Sequence, residues 1–465
     1  MLRLKTIYRF LFLVGLFFIP FNQFEGIAAL GEYKNEAATY FFLLGFVVLA
    51  IETGLKRSLS LPVQSTLVQL LLIFISWCFL TFIFNYPIIS ASYYKQTTGI
   101  NRFIRQYSSL LISTVIFTIL FWNSIRTWSL KMILIVIRRI FFCSLLFVFT
   151  YGFIETLIAV YGFYNLLPVL KLFDYFPFVN TTIEVGARIS SISYEVPALG
   201  NYLITISGWM FSYMLTSKNV FQRYLPTFFV FFLMYFSGSR TALIIVTIQF
   251  VVFILILLNE GTYRKKMLLT FKLLIPVFFV LFLVKGTTIT NAFLDKIETI
   301  NFSKNLKHNI SNQTRFGMQY ASLQVFKEHP VTGVGFGQET YHKIKHYPYW
   351  AKRNNYEFPE WYENQSLKSF PPAYNLYTRL LAEVGFIGFC LFFFLVFLTL
   401  YGANYYLKRT SGLEKALASV LLVSFVGLSL NWLQMDFFRQ YGFWLCLCIL
   451  ILMQQKALSQ QIKDK

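Results

Sequence analysis

Arg188, Arg240 and Arg315 are the residues of this sequence whose type and setting most readily suggest chemistry. Arg188 lies in Ala187-Arg188-Ile189-Ser190-Ser191-Ile192-Ser193-Tyr194-Glu195-Val196-Pro197, Arg240 closes Ser237-Gly238-Ser239-Arg240, and Arg315 sits in Thr314-Arg315-Phe316-Gly317. A guanidinium is a planar fork of donors that meets phosphate oxygens two at a time. Each charge-assisted bond contributes roughly 1.5–3 kcal/mol. Two or three such groups brought together could hold a diphosphate and stabilise it as it leaves. The competing readings are structural: Arg240 snorkelling to lipid headgroups, and Glu195 pairing with Arg188.

Two further segments stand out. His329-Pro330-Val331-Thr332-Gly333-Val334-Gly335-Phe336-Gly337 follows a helix expected over Thr314–Glu328. Proline stops that helix, and the alternating glycines allow close approach of backbone to a ligand or another chain. A plain turn is the alternative. Pro371-Pro372-Ala373-Tyr374-Asn375 then leads into Leu376–Glu383 and Gly385-Phe386-Ile387-Gly388. Arg379 and Glu383 are one helical turn apart and could simply pair. The four histidines (His308, His329, His342, His346) share one loop without metal-ligand spacing. The five cysteines (Cys78, Cys143, Cys390, Cys446, Cys448) fall in apolar stretches, which suggests neither a disulfide framework nor a metal site.

The elements that must position these residues are membrane helices. Of 465 residues, 57% are hydrophobic and 13% charged, against about 25% charged in a soluble domain. Charge-free stretches predict about twelve spanning helices, near 8–27, 37–54, 64–84, 106–123, 141–163, 197–216, 224–238, 241–258, 269–286, 385–403, 416–433 and 438–455. The N-terminal Met-Leu-Arg-Leu-Lys and its apolar run resemble a signal peptide but read better as an uncleaved first helix. With the N-terminus in the cytoplasm, the positive-inside rule is met at every short loop except the one after the third helix. Both termini are then cytoplasmic. The net charge of +21 is mostly this loop asymmetry. No basic patch on a soluble face indicates nucleic acid. The chain divides into residues 1–286 (nine helices, with an outside loop at 164–196), a long outside loop at 287–373, and 374–465 (an amphipathic segment and three helices). All three arginines fall at the outer face.

The order and spacing of Ser-Gly-Ser-Arg at 237–240, Arg315, the glycine-rich run at 329–337 and Tyr374-Asn375 through Gly388 resemble the O-antigen ligase and polymerase superfamily. The resemblance implies an all-α polytopic bundle of the lipid-dependent glycosyltransferase (GT-C-like) type in the bacterial inner membrane. It implies a glycan donor on undecaprenyl diphosphate used at the periplasmic face, with no metal and no cofactor. A chain-length regulator and a flippase are implied as partners beside membrane lipid. Arg240 and Arg315 would be the diphosphate-binding arginines and Arg188 a third, with His329, Gly335, Asn375 and Glu383 as further substrate-binding residues. Ligases carry histidine immediately before the asparagine of the last motif, as the proposed base. Here that residue is Tyr374. A phenol with a pKa near 10 is a poor base at neutral pH, which favours a Wzy-type polymerase over a ligase or protein O-oligosaccharyltransferase. Glu195 is then the first candidate base, followed by Glu383, His329 and His342. Tyr374 could instead bind sugar. The reading from another class is a transporter, for which Glu155 is the clearly intramembrane acid.

Overall fold

The computed structural model describes residues 2–183, 188–259 and 310–463. Twelve long helices organise them: α1 (Leu2–Phe17), α2 (Ala37–Lys56), α3 (Thr66–Phe84), α4 (Gly99–Ile125), α5 (Leu130–Ala159), α6 (Val196–Thr216), α7 (Val220–Ser237), α8 (Arg240–Leu258), α9 (Ile310–Glu328), α10 (Leu376–Arg409), α11 (Gly412–Asn431) and α12 (Tyr441–Lys463). Among the described residues, eight helices are long and apolar enough to cross a membrane: α2, α3, α4, α5, α8, α10, α11 and the Tyr441–Ser459 part of α12. Lipid offers no partner to an open backbone, so such a chain is helical. It is an all-α polytopic membrane protein. The expected helix at 269–286 and the loop up to residue 309 lie outside the described residues.

α6 is the centre of the bundle and packs on α7, α8 and α11. Small residues allow this. A Cβ on Gly208 would sit 2.8 Å from Ser424 Oγ of α11, and one on Gly427 would strike the Gln249 side chain of α8 at 2.1 Å. Gln249 Nε2 uses that space to donate to Ile204 O (3.0 Å) and Val423 O (3.1 Å), tying three helices together in the interior. Bonds between chain-distant residues gather the helix ends into two sets. Asn123 donates to Ser60 O at 3.1 Å and Lys456 to Trp128 O at 2.6 Å at one end. At the other, Thr39 meets Tyr441 at 2.7 Å and Ser193 donates to Pro20 O at 3.1 Å.

Several boundaries differ from expectation. α1 stops at Phe17 instead of continuing to residue 27, as Pro20 follows shortly after. α5 begins at Leu130, so Lys131, Arg138 and Arg139 are on a helix and not in a loop. Arg138 manages this by laying its guanidinium on the Tyr213 ring at 4.0 Å. The segment Leu376–Glu383 and the next span form one helix, α10, kinked at Gly385 (φ 66°, ψ −171°). The basic stretch after the third helix uses two of its cations, Lys95 and Arg102, internally. Lys95, in the turn of a hairpin pairing Tyr93–Tyr94 with Thr97–Thr98, donates to Trp361 O (2.5 Å) and Ser369 O (2.9 Å), and Arg102 lies over the Phe370 ring at 4.2 Å.

The glycine-rich run seals the α10 kink. Val334 N donates to Ala382 O (3.0 Å), Gly335 N to Glu383 O (2.9 Å) and Phe386 N to Pro330 O (2.8 Å). These bonds satisfy backbone groups that the kink frees. The two segments touch at glycines: a Cβ on Gly333 would lie 2.4 Å from Glu383 C, and one on Gly385 2.2 Å from Val331 O. Both residues also have positive φ. Gly385→Ala should therefore destabilise the fold by about 3 kcal/mol or more, read as a lowered melting temperature of the detergent-solubilised protein. Unchanged melting would contradict this packing.

Candidate functional site

The junction of α7 and α8 is built by the four residues Ser237-Gly238-Ser239-Arg240. Gly238 takes the left-handed conformation (φ 66°) that ends α7, and Ser239 caps α8 by accepting from Ala242 N at 3.3 Å. Arg240 is then the first residue of α8. Gly200 of α6 lets this junction approach, since a Cβ there would sit 3.2 Å from Ser239 Oγ.

Arg188 reaches the same junction from another segment. Ile189 N donates to Phe236 O at 3.3 Å, and the Arg188 side chain passes over Gly238, where a Cβ would lie 2.8 Å from its Cδ. The turn that follows is pinned by Glu155 of α5, whose two oxygens accept from Ser190 N (3.2 Å) and Ser191 N (2.8 Å). Ser191 has positive φ (53°), so this turn depends on its partners. The intramembrane acid is thus an anchor for the Arg188 segment.

Arg315 arrives on α9. Its Nη1 donates to Gln434 Oε1 at 3.1 Å, and its guanidinium lies 5.4 Å from the centre of the Tyr374 ring. Gln434 also bonds Thr241, next to Arg240. Tyr374 has positive φ (57°), donates or accepts at Tyr362 Oη (2.8 Å), and receives Gln319 Nε2 on its carbonyl at 3.4 Å. Burial pushes its phenol pKa up, which further disqualifies it as a base. Asn375 caps α10, accepting from Tyr377 N (2.9 Å) and Thr378 N (3.2 Å).

Arg188, Arg240 and Arg315 line one cavity of about 650 Å³ together with Glu195 and Tyr374. Arg188 and Arg315 both lie within electrostatic range of Arg240. A second, more apolar groove of about 440 Å³ shares Arg240, Arg315 and Tyr374 and runs along Ile244, Ile245 and Ile248 of α8 and Leu430 and Leu433 at the end of α11; Asn375 lines it. The cavity thus offers cationic donors at one end and an apolar channel beside them. That combination suits a lipid-borne anion.

The structure does not bring every expected residue here. Glu383 is fully buried against Arg379 (Nε to Oε1 3.1 Å) and lines neither cavity. Gly335 is spent on the α10 kink. His329 lies 5.8 Å, ring to ring, from His342, again away from both cavities. Burial and the neighbouring His329 hold His342 down to about 4. Residues that sequence reasoning missed are Gln434, Asn431 and Asp436, which line the main cavity. Asp436 accepts from Ala373 N, and its carbonyl takes Arg379 Nη1 at 2.6 Å. Its signal was a lone acid between two apolar stretches at the face that carries Arg240.

Residues 225–393 match the family model described as O-antigen ligase. That stretch contains Arg240, Arg315, the glycine-rich run and Tyr374-Asn375. No curated protein matches the chain.

Glu155→Ala leaves two buried N–H groups without their acceptor, each costing about 1–3 kcal/mol. The variant should melt lower than wild type and lose activity as the Arg188 turn loosens. Glu155→Gln, which keeps one acceptor oxygen, should fall between them. Equal melting of all three proteins would refute the anchoring role.

Proposed function

We propose that the chain is a membrane enzyme of the O-antigen ligase and polymerase superfamily, a reading supported by the match over residues 225–393, and that it polymerises undecaprenyl-diphosphate-linked repeat units at the outer face of the inner membrane, with both termini in the cytoplasm. The observation that carries this reading is the convergence of Arg188, Arg240 and Arg315, from three separate segments, on one cavity. The acceptor hydroxyl attacks the anomeric carbon of the donor. A new C–O bond forms there, and the bond to the diphosphate breaks with its electron pair remaining on the phosphate oxygen. The guanidiniums stabilise that charge as it develops. The adjoining isoleucine- and leucine-lined groove suits the first isoprene units of the carrier.

Glu195 is the general base of this proposal. It stands at the rim of the arginine chamber, and its Oε1 accepts from Tyr194 Oη at 2.5 Å. The proton of the acceptor hydroxyl passes to its carboxylate. Tyr374 acts by its ring, holding Arg315 from one side while Gln434 holds it from the other. A tyrosine where ligases carry a basic histidine favours the polymerase over the ligase.

The test is the banding pattern of surface glycan in a deletion strain complemented with variants. Arg240→Ala and Arg315→Ala should each lower polymerisation by about 10²–10³ and leave single repeats attached. A ligase would instead leave no glycan attached. A wild-type ladder with either variant would refute the role of that arginine. Tyr374→Phe should keep the ladder, because the hydroxyl transfers no proton, whereas Tyr374→Ala should shorten or abolish it.

A further inference from the structure

We propose that a side chamber adjoining the arginine-lined cavity binds the terminal sugar of the acceptor glycan; this rests on the polymerase reading above and adds to it where the second substrate sits. The chamber, about 100 Å³, shares Tyr194, Glu195, Asn201, Met435 and Phe437 with the main cavity, so the two adjoin. Beyond that shared wall it is closed by Asn22 and by Glu36, Arg439 and Tyr441.

Its chemistry is the reverse of the arginine end. Glu36 and Glu195 present carboxylates. Arg439 is already committed, with Nη1 3.3 Å from Glu36 and a further bond to Glu32 O. Its guanidinium also lies 4.7 Å from the Phe437 ring centre. Tyr441 donates to Glu36. Here the one guanidinium, Arg439, is already held by Glu36, whereas Arg188, Arg240 and Arg315 line the main cavity, so a diphosphate is directed there. A sugar edge fits: hydroxyls donate to carboxylate and amide oxygens, and C–H faces lie on aromatic rings. At about 100 Å³ against about 650 Å³ for the main cavity, the space suits the hydroxyl-bearing edge of one ring rather than a whole repeat.

The polar wall is built, not incidental. Asn22 Oδ1 accepts from Tyr194 N at 2.9 Å, fixing the loop after α1 against the residue beside Glu195. Asn201 of α6 accepts from Asn431 Nδ2 at 2.7 Å, joining the two chambers' walls. Glu195 stands on the boundary. A terminal sugar seated among Asn22, Glu36 and Phe437 presents its reacting hydroxyl past Glu195 toward the donor's anomeric carbon. The donor's carrier thus lies along α8 and α11, and the acceptor's terminal sugar on the side of α2, α6 and α12.

The two substrates can be separated experimentally. A fluorescent, water-soluble glycoside of the repeat unit lacks a diphosphate and can only accept. With the purified full-length protein and the lipid-diphosphate-linked repeat as donor, each is varied in turn. Asn22→Ala and Asn22→Ser, at a residue that lines the side chamber and not the main cavity, should each raise the KM for the glycoside about tenfold with the donor KM unchanged, which also reports a folded donor site. An unchanged glycoside KM in both variants, or a donor KM that rises in step with it, overturns the acceptor subsite and leaves the polymerase reading standing. Wild-type protein that joins no donor to the glycoside overturns the polymerase reading, and the subsite with it.

Discussion

Like charges repel, and this structure holds three guanidiniums at one end of an apolar bundle. None of the three can rely on its own helix to stay there. Arg240 is set by a helix junction that needs Gly238 and Ser239. Arg188 is laid across that glycine by a turn which Glu155 grips through two backbone N–H groups. Arg315 is held by an amide and a ring, Gln434 and Tyr374. Neutral partners such as Gln434 and Tyr374 fix the position of Arg315 without cancelling its charge, which leaves it able to act on an anion.

The apolar interior supplies the rigidity that this arrangement requires. In lipid there is no hydrophobic drive between helices, so close packing and buried polar ties do the joining. Gly208 and Gly427 bring α6, α8 and α11 into contact, and Gln249 bonds across all three. Those three helices carry Asn201, Arg240 and Asn431, so the tie fixes one wall of the cavity from below. The other wall is the segment 372–375 before α10, whose position depends on the kink at Gly385 and on the glycine-rich run that seals it.

The segment between α9 and α10 is fastened to the same frame by buried cations. Lys343 is fully buried, pairs with Glu339 at 2.8 Å and donates to Pro371 O at 3.1 Å, while Glu339 accepts from Ser322 of α9 at 2.9 Å. Arg379 joins α10 to Gln106 of α4 (2.7 Å) and to the Asp436 carbonyl. Burying such groups is costly unless every one is paired. Their pairing connects that segment, α4, α9 and α10 into a single support for Tyr374 and Asp436. Charges that look like topology signals or substrate ligands in the sequence are therefore partly structural members.

What the sequence alone determined was the class of solvent and the points of charge. Long charge-free stretches dictate helices in lipid, and arginines at their ends are visible as exceptions to an apolar pattern. The helix-stop chemistry of Gly238 and Ser239 is local, so the position of Arg240 on the α7–α8 junction was legible too. Contacts across hundreds of residues were not. Arg379 and Glu383 have the spacing of an ordinary helical pair, and only packing shows that the pair is buried and removed from the cavity. Glu155 reads as an intramembrane acid, and only the fold turns it into an acceptor for the Arg188 turn. Helix boundaries around Arg138 and Gly385 depended on a tyrosine ring and on a distant loop. Local composition sets where the backbone can be helical; which side chains share a cavity is decided by tertiary packing, because only packing brings such distant segments together.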